Sequence, residues 1–283
     1  TCLPNSMING DTILIAHFGY PTATFKAPLI YNPYFESIGF NAVVMPMGVR
    51  ADAYAQVMAA AFKLTNIRGA LVTMPHKVTT VDLVDEVSTT AAIAGACNAI
   101  LLRDDGTLAG DMFDGEGFVR GMRRKGRAIA GARAIVVGSG GVGSAIAASL
   151  AGAGVAALGL FDVNRAAADA LAQRLRTHYP ALDVRTGSQD PQGYDIVVNA
   201  TPIGMNDGDP MPMDVGRISP DAFVGEVVMK RQFTPFLEAA RARGCATQVG
   251  VDMLFEQIPA YLEFFGFPTT TPDRLRSVAR IAY

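Results

Sequence analysis

The chain has 283 residues, half of them apolar, enough to bury two cores, so two domains are the expectation. Its 24 Lys and Arg against 26 Asp and Glu leave a net charge of −2 with no basic or acidic block, which argues against a nucleic-acid-binding surface. No apolar run reaches the ~18 residues of a membrane span, and no stretch reads as a secretory leader. Cys2, Cys97 and Cys245 are scattered, as are the three histidines, which fits reduced thiols in a cytoplasm and neither a disulfide frame nor a metal site.

In chain order, "TILIAHFG" reads as a strand, "PLIYNPYFESIG" as a helix closed by Gly39, and "NAVVMPMGV" as a second strand. "ADAYAQVMAAAFKL" is dominated by alanine and unbranched residues and predicts a helix. "GALVTM" predicts a third strand, "STTAAIAGA" a short helix, and "CNAILLRDDGTLAG" a hairpin turning at Asp105-Gly106. A second unit starts near residue 111, where "GEGFVRGMRRKG" suggests a helix. Then come a strand, glycine turn and Ala-rich helix in "RAIVVGSGGVGSAIAASLAGAG". "VAALGLFDVN" is a strand, "RAAADALAQRLRTHY" a helix, "YDIVVNATPIGM" a strand and loop, and "VDMLFEQIPAYLEFFG" a helix with an apolar stripe. That last helix could fold back onto the first domain. Strands alternating with helices predict α/β architecture with mostly parallel sheets.

"GSGGVG" matches G-x-G-x-x-G at Gly138, Ser139, Gly140, Gly141, Val142 and Gly143. It follows a buried-strand pattern, opens a helix, and has Asp162 nineteen residues after Gly143, at the end of the next strand. Those are the context requirements of a dinucleotide site, here of the Rossmann kind. Glycines let the backbone approach the pyrophosphate, and the helix N terminus offers bare N–H groups. A ligand-free tight turn would use the same glycines, and Asp162 could instead cap the helix that follows. A carboxylate at that place accepts both ribose hydroxyls of NAD and repels a 2′-phosphate, so NAD is expected over NADP. Arg165, three residues on, could still swing toward a phosphate.

The chain has five lysines against nineteen arginines, and one lysine, Lys77, ends "GALVTMPHK" just past a strand. Hydride transfer from an alcohol needs a group that takes the proton and stabilises the oxygen meanwhile, and a lysine can be both. Alone, Lys77 would read as a solvated surface residue.

Seven segments, "VTMPHK" (72–77), "AGACNAI" (94–100), "GDMFDGEGF" (110–118), "GSGGVGSA" (138–145), "VVNATPIGM" (197–205), "TPFLEAARARG" (234–244) and "VGVDMLFEQ" (249–257), occur in the order and spacing of the shikimate dehydrogenase family, which the chain resembles from about Gly19 to Phe265. The resemblance implies an N-terminal substrate domain, residues 1–110 completed by C-terminal helices 250–283, facing a Rossmann domain, residues 111–249, across a cleft. The family interconverts 3-dehydroshikimate and shikimate with NADP, in aromatic amino-acid biosynthesis; the related quinate dehydrogenases favour NAD. By that resemblance Lys77 exchanges the proton of the reacting hydroxyl, Asp114 is its carboxylate partner, and Thr73, Asn98 and Gln257 contact substrate. Thr201, Pro202, Val227 and Gly250 fall at the cofactor, alongside the glycine turn. The types also make chemical sense unaided, since a carboxylate orients an ammonium group and amides serve vicinal hydroxyls. Each residue alone has an ordinary structural reading as turn, strand edge or helix face.

The departures cluster at one end of the expected substrate. After "GYP" the family carries His-Ser-x-Ser-Pro, whose hydroxyls bind the carboxylate; here those serine positions hold Phe25 and Ala27. The tyrosine of the family's Asp-x-x-Tyr-Asn-Pro is Met229, and its Asp is Glu226. "NTD" has become "MFD", with Met112 and Phe113, and Leu71 stands for the asparagine before "VT". Losing three hydroxyls that served a carboxylate removes ~1.5–3 kcal/mol each, unless Lys26 supplies a new anion contact. In the cofactor motif, the family's Asn-Arg-Thr becomes Asp162, Val163 and Asn164. The expectation is an NAD-dependent dehydrogenase of a cyclic polyol, a small-molecule enzyme acting as monomer or homodimer. Its competitors are an NADP-dependent shikimate dehydrogenase, a non-catalytic sensor reusing the fold, and another dehydrogenase branch sharing only the nucleotide domain.

Overall fold

In β1 (Ile13–Gly19) the last five residues are all buried, the pattern of a strand covered on both faces. The computed structural model describes residues 8–281, so Cys2 lies outside the described residues. After β1 come α1 (Pro28–Ile38), β2 (Ala42–Gly48), α2 (Tyr54–Ala61), β3 (Ile67–Val72), a single helical turn α3 (Lys77–Thr80), β4 (Glu86–Val87), α4 (Thr89–Ala94), β5 (Ala99–Leu102) and β6 (Leu108–Asp111). The sheet order is β2-β1-β3-β5-β6-β4. β1 pairs in parallel with β2 and β3, and β4 with β6, while β3–β5 and the β5–β6 hairpin are antiparallel. Gly106 turns the hairpin with φ of 86°, which a side chain would strain. Alternation along β1 puts Ala16 and Phe18 into a core with Tyr54, Met58, Val72 and Ile100, and turns His17 to the other face.

Gly39 closes α1 in the left-handed conformation with φ of 65°, as its position predicts. Pro33 lies inside that helix and cannot donate to Leu29; the N–H of Arg280 takes the freed Leu29 carbonyl at 2.8 Å.

The later elements are α5 (Asp114–Arg124), β7 (Arg133–Val137), α6 (Gly141–Gly152), β8 (Ala157–Phe161), α7 (Arg165–His178), β9 (Asp183–Thr186), β10 (Ile196–Asn199), β11 (Phe223–Glu226), α8 (Pro235–Ala242), β12 (Ala246–Gln248), α9 (Gly250–Phe265) and α10 (Pro272–Val278). Here every strand pair is parallel, in the order β12-β11-β10-β7-β8-β9. This is the doubly wound Rossmann order, reversing direction between β7 and β10. Ala134 and Val136 of β7 pack under Ile146, Leu150 and Leu171 on one face, while Ile135 and Val137 pack with Val224, Phe236 and Leu237 on the other. Two covered faces explain why the strand reads as an unbroken apolar run.

The chain divides into two compact units. One holds the described residues up to Ala92, Ala96–Met112 and those from Ile258 onward; the other holds Ile93–Gly95 and Phe113–Gln257. No helix among the described residues is long and apolar enough to cross a membrane.

Candidate active site

In the first unit, Lys77 is half-buried at the start of α3, one residue after a locked histidine. The His76 ring lies flat on Tyr54, 3.9 Å between centroids and 9° apart, and its Nε2 meets the Val49 carbonyl at 2.7 Å. The Thr80 hydroxyl donates to the His76 carbonyl, so the Tyr54 hydroxyl donates to Thr80 Oγ1, both at 2.8 Å. The Lys77 carbonyl accepts from Cys97 N–H at 2.9 Å, which sets the lysine beside Asn98. Asn98 is buried at the head of β5, its carbonyl bonded to Val72 N–H and its N–H to the Asp111 carbonyl. Three sequence-predicted residues, Thr73, Lys77 and Asn98, thus come together at the C-terminal end of β3. His76, Tyr54 and Thr80, which hold the lysine, were not singled out by the sequence reading.

Phe25, expected at a serine position of the family, forms an aromatic stack. Its ring lies on His17 with centroids 4.1 Å apart and planes 28° apart. A Cβ on Gly19 would stand 2.6 Å from Phe25 Cζ and 2.4 Å from Thr73 Cγ2, so only glycine fits between them. Burial, and then the charge of Lys77, push the His17 imidazole down to about 4, which keeps it neutral at physiological pH. Lys26 is exposed between half-buried Phe25 and Ala27, and Ala27 stands at the N-cap of α1 without a side-chain bond.

In the second unit, Asp114 opens α5 and is buried. Three glycines let α5 sit unusually close to its neighbours. A Cβ on Gly115 would meet the Ala145 carbonyl oxygen of α6 at 2.1 Å, and one on Gly117 would meet Gln257 Cβ of α9 at 2.7 Å. One on Gly121 would meet Gln248 Oε1 at 2.5 Å. Asp114 therefore lies one turn before the point where α5 touches Gln257. The Gln257 side chain is buried and its Oε1 has no hydrogen-bond partner. Met229 is 38% exposed in the loop after β11.

At the C-terminal ends of the same unit's strands the residues fit a nicotinamide dinucleotide. Gly138 has φ of 104°, and a Cβ on Gly143 would stand 2.0 Å from the Gly138 carbonyl oxygen, so both glycines are needed for the turn. Gly140 and Gly141 have open space where a Cβ would be, and α6 begins there without a side-chain cap, leaving N–H groups for a pyrophosphate. Asp162 ties the turn down: Oδ2 accepts Ser139 N–H at 2.7 Å and Oδ1 accepts Asn164 N–H at 2.8 Å. The N-cap of α7 is Asn164, so Asp162 is not that helix's cap. Val163 is 94% exposed beside it, and Arg165, 81% exposed, contacts Asp169 at 3.6 Å. On the other side of the strand-order reversal, Asn199 Oδ1 accepts both N–H and hydroxyl of Thr201, which shapes the Thr201-Pro202 turn. The Val227 N–H bonds the Asn199 carbonyl, and Gly250 packs on the Val227–Val228 backbone, where a Cβ would meet the Val228 oxygen at 2.2 Å. The predicted cofactor residues thus gather along one edge of one sheet, where ligands of doubly wound folds bind.

Residues 18–100 match the shikimate dehydrogenase substrate binding domain. The NADP(+) shikimate dehydrogenase of Acidiphilium cryptum (strain JF-5) is 32% identical over 275 residues, 96% of this chain and 98% of the relative. Among solved structures, ligand-free 5-ketofructose reductase of Gluconobacter sp. strain CHM43 is 27% identical with a TM-score of 0.87, covering 95% of this chain and 98% of that one. Quinate dehydrogenase from Corynebacterium glutamicum in complex with NAD is 30% identical with a TM-score of 0.84, covering 95% and 99%. Sequence likeness over nearly the whole length, with the same fold, places this chain in the shikimate dehydrogenase family.

Proposed function

We propose that the protein is a dehydrogenase, preferring NAD, that interconverts a polyol and its ketone where the end remote from the reacting carbon is uncharged. The observation that carries this reading is Phe25 stacked on His17, where the family's serine hydroxyl would meet a carboxylate. An aromatic face beside a neutral imidazole offers no counter-charge, so a carboxylate placed there would lose its hydration without compensation. The similar 5-ketofructose reductase is named for a ketose with no carboxylate, which supports such a substrate within this fold.

When bound, the dinucleotide supplies the hydride acceptor or donor. Lys77, half-buried on the turn that His76, Tyr54 and Thr80 hold rigid, takes or returns the hydroxyl proton and stabilises the oxygen while charge develops. In the first unit Thr73 and Asn98 are offered to hydroxyls next to the reacting one; in the second, Asp114 offers a negative charge and Gln257 an unpaired amide oxygen. Asp162, with each oxygen already accepting a backbone N–H, retains lone pairs for ribose hydroxyls and opposes a 2′-phosphate. A second reading, an NADP-dependent shikimate dehydrogenase, is favoured by the names of relatives such as the Acidiphilium cryptum protein. It requires Arg165 as the phosphate clamp and Lys26 as the carboxylate anchor.

The test is nicotinamide absorbance with shikimate, quinate, a panel of cyclic polyols and 5-ketofructose, each with NAD(H) and NADP(H). Preferential turnover of an uncharged substrate with NAD(H) supports the proposal, and preferential turnover of shikimate with NADP overturns it.

A further inference from the structure

His17 interrupts the apolar run of β1, is 7% exposed, and has its Nδ1 shut from solvent without a hydrogen-bond partner. A buried polar atom left unpaired costs stability, so an apolar residue would pack this strand better unless the imidazole is used. Its surroundings show where that use lies. Phe25 covers the ring, Phe25 and Thr73 meet across Gly19, and the charge of Lys77 is close enough to act on the imidazole. His17, Phe25, Thr73 and Lys77 therefore form one cluster within the first unit.

We propose that His17 is a specificity-determining residue, a neutral imidazole clamped by Phe25 whose Nε2–H hydrogen-bonds an uncharged oxygen of the substrate. The inference rests on the reading of this cluster as the substrate surface, and it names the group recognised there: a hydroxyl or carbonyl oxygen. A bare lone pair at the buried Nδ1 is less costly than an orphaned N–H, so the proton belongs on Nε2, the nitrogen left to meet a ligand. A neutral donor of this kind is directional and gives a carboxylate no charge to pair with. The Phe25 stack restricts the ring to one orientation, which a freely rotating serine hydroxyl would not do.

The test is steady-state kinetics of parent, His17→Phe and His17→Asn with 5-ketofructose and NADH and with shikimate and NAD, beside NAD titration and thermal melting. His17→Phe keeps a ring for Phe25 to stack on and removes both nitrogens. It should raise KM for the parent's better substrate roughly tenfold, with kcat within about threefold and NAD affinity unchanged. His17→Asn, which retains a donor, should recover part of that loss, an outcome that packing alone would not produce. Should His17→Phe not fold, His17→Leu carries the same expectation. An unchanged KM in the variant without nitrogens overturns the assignment of His17. A parent that turns over shikimate and ignores 5-ketofructose overturns the uncharged-substrate reading instead, and the variants on shikimate then decide His17 separately. No activity on these compounds or on the cyclic polyols of the panel, with NAD(H) or NADP(H), overturns both.

Discussion

Asp162 accepts the backbone N–H of Ser139 at 2.7 Å, so the residue expected to choose the cofactor also anchors the turn expected to hold it. Replacing it therefore has two separable effects. Asp162→Asn keeps an acceptor for Ser139 and removes the charge, and should narrow the NAD preference. Asp162→Ala loses both and should weaken either dinucleotide. In the parent, NAD should bind at least ~10-fold tighter than NADP, about 1.4 kcal/mol, by fluorescence or calorimetric titration. Equal or better NADP affinity would implicate Arg165.

Lys77→Ala should lower turnover roughly 10²–10⁴-fold while leaving NAD affinity almost unchanged, because the lysine belongs to the first unit and the glycine turn to the second. Asp114→Asn should also cost turnover, since it keeps the shape and removes the charge. Near-parent rates in both variants on the best substrate would refute the proton-transfer assignment.

Phe25→Ser with Ala27→Ser restores the hydroxyls that the family carries. Shikimate should be a poor substrate for the parent, with the defect mainly in KM, and the double variant should lower that KM more than it raises kcat. The contacts are remote from the reacting carbon and act alike on ground and transition states. A parent KM for shikimate in the ordinary micromolar range would point to exposed Lys26 as an adequate anchor.

Glu226 predicts a pH dependence of stability. It is fully buried at the end of β11, Oε2 accepts the Thr234 hydroxyl at 2.8 Å, and Oε1 has no partner. Burial pushes its carboxyl from 4.5 to about 7. The folded protein holds this proton more tightly than the unfolded chain. Its contribution is therefore full below pH 4.5 and is lost as pH rises through about 7. The span corresponds to about 3 kcal/mol. Glu226→Gln should flatten the decline in urea midpoint between these limits; a parallel decline in both proteins would show that other groups cause it.

Tyr31 is buried in α1 with its hydroxyl unpaired. Tyr31→Phe should leave the melting temperature unchanged or raise it, by up to about 1 kcal/mol of stability. A clear drop would reveal a hydrogen bond, to water or protein, that the hydroxyl makes in solution.

Much of this molecule is legible in the sequence because much of it is local. The Gly39 cap, the Asp105-Gly106 hairpin and the strand-turn-helix around Gly138–Gly143 depend on residues a few positions apart, whose preferred dihedrals act in any context. The long apolar strands and alanine-rich helices are legible for the same reason, and the ordered motifs carried the family. Elements resting on partners distant in sequence were not legible. The short strands β4, β9, β11 and β12 are not among the strands read from the sequence, and exist because a neighbouring strand satisfies their backbone. Helix α2 ends at Ala61, short of the Leu64 its composition allows. Residue order alone set which side chains are available for chemistry and where the turn that fits a pyrophosphate forms. Folding was needed to clamp His76 on Tyr54, to tie the glycine turn to Asp162, and to bury His17 against Phe25. Those are contacts between separate segments, and burial and stacking arise only once the chain has closed around them.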